Sequence, residues 1–273
     1  MNSAHIGISD SPLRPGAGPA SLYYREAGAG TPLVYLHGGW GYEIYPFDNQ
    51  IAGLSGRFRI LIPDRTGYGR SSDAGQTPVD FHHRAATETL QFLDALKLGR
   101  VALWGHSDGA VIAALLGLRS PERFIGLILE AFHYGPKTGS LDWMQSVLSD
   151  PDALGERSKS ALYRDHGARW RTVVQRNATA WLEIGRVGAP DLFGGKLPEL
   201  AVPTLFLHGA DDPRTEPGEL DAMRRALPGA GFRIIEAARH CPHSQPESAE
   251  ECTRVAGEFL DGLMAGRGPA HER

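Results

Sequence analysis

The stretch Val101-Ala102-Leu103-Trp104-Gly105-His106-Ser107-Asp108-Gly109 decides the fold. A short apolar run, Val101–Trp104, reads as a buried strand and ends in Gly-x-Ser-x-Gly. A helical pattern follows at once, with Val111, Ala114, Leu115 and Leu118 on one face. Gly-x-Ser-x-Gly alone arises by chance. Between a buried strand and an amphipathic helix it is specific, because the sharp turn strains Ser107 and lifts its oxygen into a cleft. Gly105 and Gly109 leave room for neighbouring backbone. Ser107 is therefore expected to be a nucleophile. Asp108 is adjacent but points elsewhere on the turn.

Outward from this turn, short apolar runs alternate with helical patterns. Leu33–Leu36, Phe58–Ile62, Phe124–Leu129, Thr204–Leu207 and Phe232–Ile235 are the other strand candidates. Such alternation predicts a mostly parallel sheet covered by helices on both faces, an α/β fold. Ile6–Ser9 and Leu22–Glu26 read as a peripheral antiparallel pair. Thr77-Pro78-Val79-Asp80 predicts a capped helix start with proline first, running to about Leu96 and burying Ala86, Leu90, Leu93 and Leu96. Cys252, Val255, Ala256, Phe259, Leu260 and Leu263 share one face of a last helix, which makes Cys252 a core residue. From Tyr134 to Lys196 no strand pattern occurs, while Trp170, Val173, Val174, Ala178, Trp181 and Leu182 keep helical spacing. We expect residues 1–133 and 197–273 to form the core domain and 134–196 a helical cap inserted in it. The polar end, Ala265–Arg273, is expected to lack order.

A serine nucleophile needs an oxyanion hole, a base and an acid that orients the base. The N–H of Asp108 supplies one expected oxyanion donor. Leu36-His37-Gly38-Gly39-Trp40-Gly41, after an early strand, supplies the other at Gly39, with Trp40 as its neighbour. The base and acid should come later, in the order Ser, Asp/Glu, His. Gly209-Ala210-Asp211-Asp212 follows one strand and Ala238-Arg239-His240 another, on the sheet edge where open α/β sheets build their sites. Asp211 competes with Asp212, Glu130 with both, and His243 with His240. His82, His83, His133 and His243 otherwise read as packing or surface residues, and His106 as one that packs.

Composition excludes other classes. The 273 residues are 41% hydrophobic and 22% charged, with a formal net charge of −4. No basic cluster suggests nucleic acid, and no apolar run approaches a membrane span. The N-terminus shows no signal-peptide pattern, so a cytoplasmic location is expected, and the two cysteines, Cys241 and Cys252, read as free thiols. Neither a metal-ligand spacing nor a cofactor motif occurs. Monomer or homodimer is the expected state.

Together the strand-HGG loop, Asp64-Arg65-Thr66-Gly67-Tyr68-Gly69-Arg70-Ser71-Ser72, GHSDG, the Gly209–Asp212 turn and His240 resemble the α/β-hydrolase fold superfamily. In relatives the acid stands three residues after the glycine of the turn, which selects Asp212. The histidine follows some twenty-eight residues later, usually after a glycine; here that place holds Arg239. In some relatives the acid follows an earlier strand, which would make it Glu130. Halide and epoxide chemistry on this scaffold uses a carboxylate where this chain has Ser107. Ser-Asp-Gly with a cap helix like Ala161–Arg186 is most similar to the valacyclovir hydrolase (biphenyl hydrolase-like) branch, where the Asp after the nucleophile contacts a substrate ammonium. The resemblance therefore implies Asp108 as a substrate contact. It implies a serine hydrolase of small-molecule esters, with activity falling below the histidine pKa, ~6.5 before shifts. A carbon–carbon hydrolase, an amidase or lyase, and a non-catalytic binder are the rival readings. Trp143, Trp170 and Trp181, with Phe132, His133 and Tyr134 at the entrance, are expected to shape an apolar pocket.

Overall fold

Period-two alternation divides each central strand between two apolar layers. In the strand Thr31–Leu36, Leu33 and Tyr35 face one layer while Val34 and Leu36 face the other. In Val101–His106, Ala102 and Trp104 join the first layer, and Val101 and Leu103 the second. A strand buried on both faces needs helices on both sides, and the chain supplies them.

A computed structural model describes residues 1–135, 138–188 and 191–266. Its strands are β1 (Asn2–Ile8), β2 (Ala20–Ala27), β3 (Thr31–Leu36), β4 (Phe58–Pro63), β5 (Val101–His106), β6 (Phe124–Glu130), β7 (Thr204–Gly209) and β8 (Gly231–Ile235). They form one sheet in the order β1-β2-β4-β3-β5-β6-β7-β8. Pairing is antiparallel between β1 and β2 and between β2 and β4, and parallel from β4 onward. The helices are α1 (Asp48–Leu54), α2 (Phe81–Ala95), α3 (Asp108–Arg119), α4 (Thr138–Ser149), α5 (Glu156–His166), α6 (Trp170–Val187), α7 (Glu219–Ala226) and α8 (Ala249–Met264). Helices α2 and α3 cover the Val34 face; α1 and α8 cover the Tyr35 face. Cys252, on α8, is fully buried.

Each predicted strand is present, with its ends extended by one or two residues in most cases. Two helical expectations need correction. Helix α2 begins at Phe81, after Pro78 has closed a turn with the N–H of Phe81. Its buried stripe is Phe81, Ala85, Glu88 and Phe92, so Ala86 and Leu93 are buried but Leu90 and Leu96 only partly. The expected single helix Ala161–Arg186 is two helices, because Gly167 adopts φ 59° and ends α5. Helices α4, α5 and α6 all lie between β6 and β7. Residues 267–273 of the expected tail lie outside the described residues. Among the described residues no helix is long and apolar enough to cross a membrane.

Candidate active site

The site is built at the carboxyl edge of the parallel strands. Strand β5 ends at His106 and α3 begins at Asp108, so Ser107 alone makes the reversal. Its φ of 54° and ψ of −118° lie in a region that costs a non-glycine residue ~1–3 kcal/mol. Surrounding bonds hold it there: Ser107 N–H donates to the Glu130 carbonyl at 2.9 Å, and Ala110 N–H donates to the Ser107 carbonyl at 2.8 Å. A Cβ on Gly105 would stand 2.1 Å from the Gly109 carbonyl oxygen, and one on Gly109 would stand 1.9 Å from that of Leu36. Both positions need glycine because backbone passes too close for any side chain.

Beyond β7 the chain turns through Asp212, and beyond β8 it loops through His240. Nε2 of His240 lies 3.2 Å from Ser107 Oγ, and Nδ1 lies 2.8 Å from Asp212 Oδ2. Asp212 Oδ1 also accepts the N–H of Arg214 at 2.9 Å. Burial alone raises the Asp212 carboxyl, but the hydrogen bond and charge of His240 outweigh it and hold the group well below the usual carboxylate range. An ionised Asp212 accepts a hydrogen bond from the Nδ1–H and so keeps the proton on that nitrogen, which leaves the Nε2 lone pair to accept from Ser107. A second donor meets that lone pair: Nη1 of Arg214 is 3.0 Å away, its guanidinium stacked 4.3 Å over Trp143. Burial and then the Arg214 charge push His240 down to about 3, against the pull of Asp212.

Gly39 and Asp108 border the same pocket as Ser107. Asp108 is the first residue of α3, so its N–H has no acceptor within the helix and sits at the positive end of the helix dipole. The peptide before Gly39 is oriented from behind. Arg65 Nη2 donates to the Gly38 carbonyl at 2.8 Å, and Nδ1 of His37 lies 2.7 Å from it. In a trans peptide the N–H points opposite to the carbonyl, so the Gly39 N–H is turned away from Arg65. Arg65 lies in the quoted Asp64–Ser72 motif, but nothing in that pattern assigned it this work.

The Asp108 carboxylate is bound from three directions: Nε2 of His82 at 3.1 Å, Nε1 of Trp181 at 3.0 Å and Nδ2 of Asn177 at 2.9 Å. Burial raises it, yet His82 and its other partners bring it down to about 2. His82 and Asn177 were not singled out as site residues. With Trp40, Trp143, Met144, Asn177, Trp181 and His133, these groups enclose about 40 Å³ beside Ser107. A water needs about 10–15 Å³ of such space, so the pocket holds only a small group. Trp143 and Trp181 line it as expected, but Trp170 does not. Of the entrance trio only His133 borders it, stacked on His240; Phe132 packs on Phe193 and Phe206, and the Tyr134 hydroxyl donates to Asp191.

The competing residues fall elsewhere. Asp211 is exposed. Glu130 lies beneath the site, where its Oε1 is 2.7 Å from Nδ1 of His243 and its Oε2 accepts from Trp104. Glu130 therefore serves His243 and does not touch His240. Among the described residues two sets of three could offer metal ligands within 4.8 Å of one another, His106 with Glu130 and His243, and His133 with Asp212 and His240. In both sets the glutamate or aspartate is already hydrogen-bonded to a histidine of the set.

An eight-stranded, mostly parallel sheet, with a serine on a strained strand-to-helix turn and a histidine and an aspartate brought to it from later strand ends, defines an α/β-hydrolase. The chain belongs to the alpha/beta hydrolase family, whose pattern matches residues 33–251. It is 25% identical over 266 residues to human serine hydrolase BPHL, covering 94% of this chain and 89% of that protein. It is 27% identical to the pimeloyl-[acyl-carrier protein] methyl ester esterase of Nitrosomonas europaea, covering 85% and 98%. A thermophilic esterase from Thermogutta terrifontis superposes with a TM-score of 0.70 at 24% identity, covering 95% of this chain and 99% of that one. The protein is a hydrolase of this family.

Proposed function

We propose that the protein is a serine hydrolase that cleaves carboxylic esters of small molecules through an acyl-enzyme, with Ser107 as nucleophile, His240 as base and Asp212 as acid. The observation that carries the reading is the continuous hydrogen-bonded line Ser107–His240–Asp212 at the strained turn. His240 takes the Ser107 proton as Oγ attacks the ester carbonyl. The N–H groups of Gly39 and Asp108 hold the oxyanion. The carbon–oxygen bond to the alcohol breaks, and His240 returns the proton to the departing oxygen. Water, deprotonated by His240, then releases the acid and restores Ser107. Residues 134–196 act as a cap, whose Trp143 and Trp181 keep the acyl pocket dry.

Amino-acid-type esters are the finer reading, carried by the Asp108 carboxylate at the pocket wall. Oδ2 has one donor in place, Asn177, and keeps capacity for another. An amino ester and its uncharged analogue separate the cases: faster kcat/KM for the ammonium substrate supports Asp108 as its contact, and equal values remove it.

The test of the main reading is labelling with a fluorophosphonate probe, with the modified residue found by mass spectrometry. Label on Ser107, absent in Ser107→Ala, is expected. Folded wild-type protein that takes no label and turns over no p-nitrophenyl acetate would defeat the proposal.

A further inference from the structure

A cleft of about 640 Å³ opens beside His240, and its wall is unlike the chain as a whole. The protein carries a net charge of −4, yet Arg157, Arg164, Arg214 and Arg239 face this cleft against Glu43 and Glu247. Arg164 lies 3.6 Å from Glu43. Arg214 has no carboxylate within 4.0 Å among the described residues; its neighbours are the Trp143 ring and Nε2 of His240. Arg214 borders both this cleft and the small pocket at Ser107. It is a half-buried cation held at the mouth of the site, with no carboxylate in salt-bridge contact among the described residues.

We propose that Arg214 is the receptor for a carboxylate on the leaving group, so that the preferred substrates are esters in which a small acyl group is joined to the hydroxyl of a short hydroxy acid. The inference rests on the serine-hydrolase reading and names the substrate class of that same site. Three observations support it. The space beside Ser107 suits an acyl group as small as acetyl. The leaving oxygen must approach Nε2 of His240 to receive its proton, and Arg214 Nη1 is 3.0 Å from that atom. A carboxylate one or two carbons from the leaving oxygen therefore falls within reach of the guanidinium, whose planar fork binds carboxylates bidentately. The same contact frees the base. In the resting site Ser107 and Arg214 share one lone pair on Nε2. A carboxylate that draws Arg214 to itself leaves that lone pair to Ser107 alone.

The test uses acetoxyacetate and 3-acetoxypropanoate beside their neutral amides, with kcat/KM measured for wild type, Arg214→Gln and Arg214→Lys. Wild type is expected to favour the carboxylate over its amide by about tenfold or more, the worth of a hydrogen bond between charged groups. In Arg214→Gln that ratio should collapse toward one, and Arg214→Lys should restore part of it. A wild-type ratio near one, or an Arg214→Gln variant that slows both esters while keeping the ratio, overturns the assignment. Turnover of p-nitrophenyl acetate, lost in Ser107→Ala, checks the underlying hydrolase separately. With that activity present, inert acetoxy acids defeat the Arg214 proposal alone; with it absent, both readings fail.

Discussion

Nη1 of Arg214 lies 3.0 Å from Nε2 of His240, nearer than the 3.2 Å that separates the same nitrogen from Ser107 Oγ. A cation in that place opposes a second positive charge on the imidazole, and burial opposes it more; together they hold His240 at about 3 although Asp212 pulls upward. His133, stacked on the ring, acts in the same direction as Arg214. Only the neutral imidazole can take the Ser107 proton. Activity should therefore persist as pH falls through the ordinary histidine range, ~6.5, and fail only nearer the folded value. A kcat/KM profile should show its acid limb well below 6.5 in wild type, and Arg214→Gln should move that limb upward. An unchanged limb in the variant would show that Arg214 does not act on the base.

Acid should weaken the fold over a range in which the base still works. His37, His83, His106, His166, His208 and His240 are all lowered, in each case first by burial. Below their unfolded pKa of ~6.5 the unfolded chain binds protons that the folded chain refuses. Each such histidine stabilises fully above that value and loses its contribution as pH falls toward the folded value, by up to ~1.4 kcal/mol per pH unit. Burial raises Asp64, Glu88 and Asp165, which take up protons when folded and so oppose the trend. Six histidines against three carboxylates should leave the urea midpoint falling from pH 7 to pH 5. A flat midpoint over that range would contradict the balance.

Asp212 and Glu130 are both carboxylates bonded to a histidine Nδ1, and they predict opposite phenotypes. Asp212→Asn keeps the shape but no longer fixes the His240 tautomer, and should lower kcat by about 10⁴. Glu130→Gln strikes the His243 and Trp104 bonds under the sheet edge. Its loss should appear as a lower urea midpoint, of about 1–3 kcal/mol for buried groups left unsatisfied, with kcat far less affected than in Asp212→Asn. Steady-state kinetics and urea melts on both variants check this. The reverse pattern would move the acid role to Glu130.

What could be read from the sequence follows the physics of local pattern. Strand–turn–helix around Ser107 is a contiguous signal, and so are the apolar runs that became β3 to β8. The proposed acid and base, Asp212 and His240, were legible because each follows a strand that ends on the Ser107 edge. The helix break at Gly167 was hidden, since hydrophobic spacing carries across a two-helix corner. Arg214, Arg65, His82 and Asn177 were also hidden. Their placement depends on long-range contacts, such as α6 meeting the first turn of α3, which no periodicity encodes.

One such contact ties the inserted helices to the sheet and gives a last prediction. Arg25 on β2 donates to Asp64 Oδ1 at 2.6 Å, lies 3.6 Å from Asp165 on α5, and stacks on Tyr42. Asp165 in turn accepts the N–H groups of Tyr42 and Glu43, in the loop after β3. Arg25→Met would leave two buried carboxylates without their cation, and removing one side of a buried pair typically costs about 3–5 kcal/mol. Burial already raises Asp64 and Asp165, with Arg25 working against it. Loss of Arg25 raises both further. A group raised in the folded state keeps its stabilising effect at low pH and loses it as pH rises through the folded value. The urea midpoint of Arg25→Met should therefore fall further below wild type at pH 8 than at pH 5.5. Equal deficits at the two values would mean that Arg25 contributes packing over Tyr42 and not charge.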